Sequence, residues 1–159
     1  MSIRLWRGIM LHWVLCACAS TAEEPVLGAA DRAAFDAQVY PILVRDCGHS
    51  ACHGAPARFF RVWGPGHARL DPSSKLFDPV VEAELALSYA RSLSMLDPVD
   101  PNRSPLLLKP LEVSAGGSGH EGTDSFGRDV YRAPDDPNFQ VLVRWALGVP
   151  QEALQGASP

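Results

Sequence analysis

The segment Cys47-Gly48-His49-Ser50-Ala51-Cys52-His53 brings two thiols and an imidazole into one short stretch of chain. Two thiols followed at once by a histidine are the set that covalent haem attachment requires. Each sulfur forms a thioether with a porphyrin vinyl group, and the adjacent imidazole reaches the iron from the same turn. The usual spacing is C-x-x-C-H, whereas here four residues separate the cysteines. Along an ideal helix a separation of five advances about 500°, which leaves the thiols on different faces. The additional residues must therefore bulge, with Gly48 as the permissive backbone position. The same cysteines could instead close a small loop as a Cys47–Cys52 disulfide, with His53 incidental. Spacing alone leaves haem and disulfide open. Zinc falls behind both, because four good ligands are not clustered.

An iron bound by His53 needs a second axial group, and the candidates are Met95, His49, His67 and His120. Met95 stands beside Leu93 and Leu96, where a methionine commonly fills core. His49 lies inside the attachment turn, on the wrong side to reach the opposite haem face. His67 reads as a turn residue in Gly64-Pro65-Gly66-His67. His120 follows Gly116-Gly117-Ser118-Gly119, whose small residues let backbone approach a flat ring closely. His120 is therefore the expected distal ligand. Without cofactor, His53 and His120 should face one cavity with ring nitrogens about 4 Å apart, twice a metal–imidazole bond of about 2 Å.

The run Gly117-Ser118-Gly119-His120-Glu121-Gly122 also matches G-x-G-x-x-G letter for letter. A dinucleotide fold needs a strand before it, a helix after it and a βαβ frame, and the flanking sequence offers none of these. Ser118 likewise lacks the G-x-S-x-G frame of a serine hydrolase. Phe59, Phe60 and Trp63 could line a haem while Arg58, Arg61 or Lys109 meets a propionate. An ordinary aromatic cluster with snorkelling arginines is the competing reading.

Three helices must position these groups. Asp31 is the expected N-cap of the first, with Phe35, Val39, Ile42 and Leu43 on one face and a kink or break at Pro41. The second should start at Asp78-Pro79, carry the stripe Leu85, Tyr89, Leu93 and Leu96, and stop at Asp97-Pro98. The third has Asp136 as cap, Pro137 in its first turn, Phe139, Leu142, Val143 and Ala146 inward, and Gly148 with Pro150 at its end. Gly/Pro-rich loops span about 54–77 and 97–135, and no alternating strand pattern appears. The expectation is an all-α fold whose long loops wrap something.

Composition sets the outer limits. In 159 residues, 14 basic and 18 acidic side chains give a net charge of −4, which argues against a nucleic-acid binder working through phosphate neutralisation. No apolar run reaches the length of a membrane span. The N-terminus reads as an address: Arg4 and Arg7, a modestly apolar stretch from Gly8 to Ala17, then Leu15-Cys16-Ala17-Cys18. This resembles the bacterial lipoprotein signal, which implies cleavage after Ala17, a lipid on Cys18 and a membrane anchor. Ala19 after that cysteine favours the outer membrane, on its periplasmic side. Residues 1–17 are then the signal peptide, 18–30 a tether, 31–148 the domain and 149–159 a tail. Only Cys47 and Cys52 remain for the domain, in an oxidising compartment where thiols pair or are modified.

Phe35…Val39…Pro41-Ile42-Leu43…Cys47…Cys52-His53-Gly54 is similar to the start of the single-haem cytochrome c-like domains of planctomycete and myxobacterial exported proteins. Ser104 to Leu111 resembles the stretch before their second axial region, Gly119-His120-Glu121-Gly122 their Gly-His-x-Gly turn, and Pro137 to Gly148 their C-terminal helix. The resemblance covers residues 31–148 and departs at the four-residue Cys spacing. It implies a small cytochrome c-like domain with one covalent haem c, held by Cys47, Cys52, His53 and His120. It further implies electron exchange with redox protein partners rather than catalysis. The rival is a haem-free lipoprotein with a Cys47–Cys52 disulfide, serving as a structural or interaction module.

Overall fold

Asp31 starts the first helix as expected, its carboxylate accepting the Ala34 N–H at 2.6 Å. In the computed structural model, which describes residues 30–120 and 129–149, the helical segments Arg32–Ala34, Phe35–Val39 and Tyr40–Cys47 follow without a gap and together form α1. Pro41 neither breaks nor ends it. The segment before the proline widens into a π-turn, in which the Tyr40 N–H reaches the Phe35 carbonyl. A wider turn relieves the clash between the proline ring and the carbonyl one turn back. Phe35, Val39, Ile42 and Leu43 are all buried on this helix.

Helix α2 runs Glu82–Leu93, later than the Asp78-Pro79 start that the sequence suggests. The Asp78 and Pro79 carbonyls are taken instead by the Arg69 guanidinium, and the Glu84 carboxylate reaches back to the Val81 N–H at 3.4 Å. Its most buried residues are polar. Glu84, Ser88 and Ser92, one turn apart, are fully enclosed, while Leu85, Tyr89 and Leu93 are half-buried against the core edge. Each polar group is satisfied: Ser88 Oγ accepts the Trp63 N–H at 3.2 Å, and Ser92 Oγ donates to the Ser88 carbonyl at 2.9 Å. Glu84 takes Arg69 bidentately at 2.9 and 3.0 Å and also accepts the Leu70 N–H. This buried pair fastens the loop around residues 64–79 to α2.

The stretch 97–135, expected to be irregular, holds a 3-10 turn at Pro101–Arg103, the one-turn helix α3 at Pro105–Leu108 and a further 3-10 turn at Val113–Ala115. Helix α4, Pro137–Ala146, follows the sequence reading closely. Asp136 accepts the Asn138 and Phe139 N–H groups, and Gly148, at φ 66°, closes a C-terminal turn with Val149 N–H on the Arg144 carbonyl. Phe139, Leu142, Trp145 and Ala146 are buried, and Val143 is only half so.

No strand occurs among the described residues. Two isolated bridges, Trp63 with Ala68 and Leu111 with Tyr131, are all the β-type pairing present there, so the fold is all-α. The core joins α1, α2 and α4 through Phe35, whose ring lies 5.2 Å from Tyr89 and 5.3 Å from Trp145. The polar ends of both partners are satisfied at the start of α1: Tyr89 Oη donates to the Ala30 carbonyl and Trp145 Nε1 to that of Asp31, each at 2.9 Å. The proposed leader, lipid-bearing Cys18, the tether up to residue 29 and nearly all of the tail lie outside the described residues, whereas Ala30, assigned to the tether, is buried in the core. Among those described, no helix is long and apolar enough to cross a membrane.

Candidate functional site

Cys47 is the last residue of α1, so the helix delivers its sulfur directly to the core edge. Burial pushes its thiol up to about 12, with the Asp46 and Cys52 charges adding and Arg45 opposing, so the sulfur is protonated at neutral pH. The chain then turns tightly. Cys52 and Gly54 N–H groups both reach the His49 carbonyl, at 2.8 and 2.9 Å, and the His53 N–H returns to the Cys47 carbonyl at 3.0 Å. Gly48 was expected to supply unusual backbone, yet it sits at φ −74°, open to any residue. Close approach is the business of Gly54, where a Cβ would collide with the Gly48 carbonyl. Cys52 is half-buried, and both thiols are free.

His53 is oriented by one hydrogen bond. Its Nδ1 lies 2.8 Å from the Phe60 carbonyl, which can only accept, so Nδ1 carries the proton and Nε2 keeps its lone pair. Burial holds this imidazole below the usual histidine range, opposed by the Phe60 carbonyl and reinforced by His120 and Arg58. His53 is thus a neutral, tautomer-fixed donor. The Phe60 ring packs on its side at 4.7 Å.

His120 faces it. The two rings have centroids 5.8 Å apart and planes inclined by 31°. Two imidazoles trans on one metal, at about 2 Å per bond and about 1 Å from nitrogen to ring centre, give a separation of about 6 Å. The loop carrying His120 is folded back on α3 by Ser118 N–H to the Leu108 carbonyl and Gly117 N–H to that of Glu112, with Lys109 Nζ on the Gly119 carbonyl. Gly116 and Gly119 adopt positive φ, 100° and 78°. A side chain at Gly117 would strike the Leu111 carbonyl, so only glycine fits there. Glu121 and Gly122, the rest of the glycine-rich run, lie outside the described residues.

Both imidazoles and both cysteines line one cavity of about 970 Å³, at the upper end of the range for small-molecule and cofactor sites. Its apolar wall includes Leu43, Phe60, Leu106 and Leu142, and its charged groups include Asp46, Arg58 and Lys109. Met95 also lines it, but His120 is the candidate set across from His53. His49 reaches the rim, whereas His67 does not line the cavity. Of the aromatic segment, Phe59 and Phe60 border the space. Trp63 and Arg61 do not: the Trp63 carbonyl accepts the Tyr40 hydroxyl, and Arg61 lies over the indole at 5.4 Å.

Tyr131 is a wall residue that the sequence did not single out. Its hydroxyl donates to Asp46 Oδ2 at 3.0 Å, and burial, with Cys47 and Asp46 nearby, holds it well above the usual tyrosine range. A lone tyrosine in a predicted loop carried no signal for this. Among the described residues there is no group of three or more His, Cys, Asp or Glu able to hold a bare metal ion. A porphyrin brings four nitrogens of its own and would ask the protein for only two axial ligands, as two opposed imidazoles could supply. No protein-family model, curated protein or solved structure matches the chain.

Proposed function

We propose that this chain is a lipid-anchored, extracytoplasmic c-type cytochrome-like domain that binds one haem and transfers electrons to protein partners. The observation that carries this reading is the opposition of His53 and His120 at 5.8 Å across a cavity lined by Cys47 and Cys52. When bound, the haem supplies a one-electron Fe(III)/Fe(II) couple. Cys47 and Cys52 would hold it covalently, and His53 and His120 would be the axial ligands. The turn between the cysteines closes on the His49 carbonyl, which supports reading the four-residue spacing as a bulged variant of the attachment turn. Arg58 and Lys109, on the cavity lining, suit carboxylate groups of the macrocycle. Leu43, Phe60, Leu106 and Leu142 exclude water and so raise the weight of every charge near the iron. Ligation by both imidazoles would leave no open position for a substrate, which favours a carrier over a catalyst. The cytochrome c-like fold is supported by the amphipathic first helix, which ends in the two-thiol turn, and by the last helix packing against it.

Expression with a cytochrome c maturation system tests the proposal. A pyridine haemochrome spectrum that survives acid-acetone extraction is the expected result. Haem-free protein with no titratable thiols in the mature domain would overturn it in favour of the disulfide-closed module.

A further inference from the structure

His49 and His67 play no part in the haem reading, yet their rings meet at a centroid distance of 5.1 Å with planes at 86°. They come from different loops. His49 belongs to the two-thiol turn, its carbonyl pinned by two N–H groups, and His67 belongs to a turn closed by its own N–H on the Gly64 carbonyl and by Gly64 N–H on that of Ala68. Both backbones are therefore fixed before any ligand arrives. The His67 ring packs directly over Gly48, where a Cβ would make ordinary contact with His67 Cγ at 3.4 Å.

We propose that His49 and His67 form a second site, which takes a borderline divalent transition cation of the zinc class. Two imidazoles held cis on one tetrahedral ion, with bonds of about 2 Å and about 1 Å more to each ring centre, have centroids about 5 Å apart. The observed separation matches that figure. Water completes the coordination, because no third His, Cys, Asp or Glu joins the pair among the described residues. The location favours positive charge: His67 packs over Gly48, the C-cap of α1, where the helix presents its negative end. A bound ion would staple the two-thiol turn to the 64–68 turn.

The test uses the untagged, haem-free full chain and Co²⁺ as the probe, so it is independent of the haem reading. One equivalent of Co²⁺ should bind without a thiolate charge-transfer band. His49→Gln and His67→Gln should each weaken binding by roughly ten-fold or more, the loss expected when a chelate becomes a single ligand. Because His49 is exposed, its variant keeps the fold, and circular dichroism checks both. Zn²⁺ should also raise the melting temperature of the parent protein but of neither variant. Unchanged affinity in either variant, a thiolate band or no binding at all would overturn the site.

Discussion

His120 and Gly117 divide the work of the distal wall between chemistry and shape. Replacing His120 with alanine removes the group facing His53 at 5.8 Å, so the haem-loaded protein should change from a low-spin to a high-spin absorption spectrum. Gly117→Ala should have a milder form of the same effect. Its Cβ would meet the Leu111 carbonyl, so the loop must shift and a mixed-spin spectrum should result. Much of this site was legible in the sequence, because Cys47, Cys52 and His53 are local and His120 stands among glycines. Tyr131 was not legible, since its partner Asp46 is brought close only by tertiary folding, and the Gly54 contact was missed because it depends on how the turn from Gly48 closes. Gly48 shows the opposite error: its neighbours suggested unusual backbone, and what its lack of a side chain spares is a clash with the Val44 carbonyl.

At the scale of elements, α4 was readable because cap, apolar period and stop signals agree, and α1 from its cap and apolar face, although the helix runs on through Pro41 by way of a π-turn. Asp136→Ala removes the acceptor of two N–H groups and should cost about 1 kcal/mol in chemical denaturation. Trp145→Ala should cost about 3–5 kcal/mol, since the indole fills the junction with Phe35 and Tyr89 and caps the Asp31 carbonyl. Helix α2 defeated its own pattern. Its leucines suggested the inward stripe, but Glu84, Ser88 and Ser92 lie deepest: Glu84 and Ser88 accept backbone and arginine donors from the 61–79 region, and Ser92 donates its hydroxyl to the Ser88 carbonyl. Hydrophobic periodicity cannot register that demand.

For the whole molecule, Glu84 sets an acid limit. Burial pushes its carboxyl up, but the bonds from Arg69, Leu70 and Val81 outweigh this and leave it below the usual glutamate range. A depressed carboxylate stabilises the fold fully above its unfolded value, and that contribution is lost as pH falls through the folded value. Asp71, through Ser73, and Asp97, through the Asp100 and Val99 N–H groups, act in the same sense. Melting temperature should therefore fall steadily from about pH 5 towards about pH 3, the window in which carboxylates titrate. Glu84→Gln should melt lower at pH 7 and show a flatter acid slope. The wide turn at Phe35–Val39 has a longer reach than its five residues suggest. It acts as a one-residue insertion, rotating everything downstream by about 100° and cancelling most of the roughly 120° by which Phe35 and Cys47 would otherwise diverge. The shaft is thus phased like a camshaft, with the aromatic junction at one lobe and the sulfur at the other. Pro41→Ala alone, by allowing uniform pitch over the same residues, would throw the two lobes out of time so that one of them must leave the interior, whereas deleting Ala37 as well would bring them back into phase.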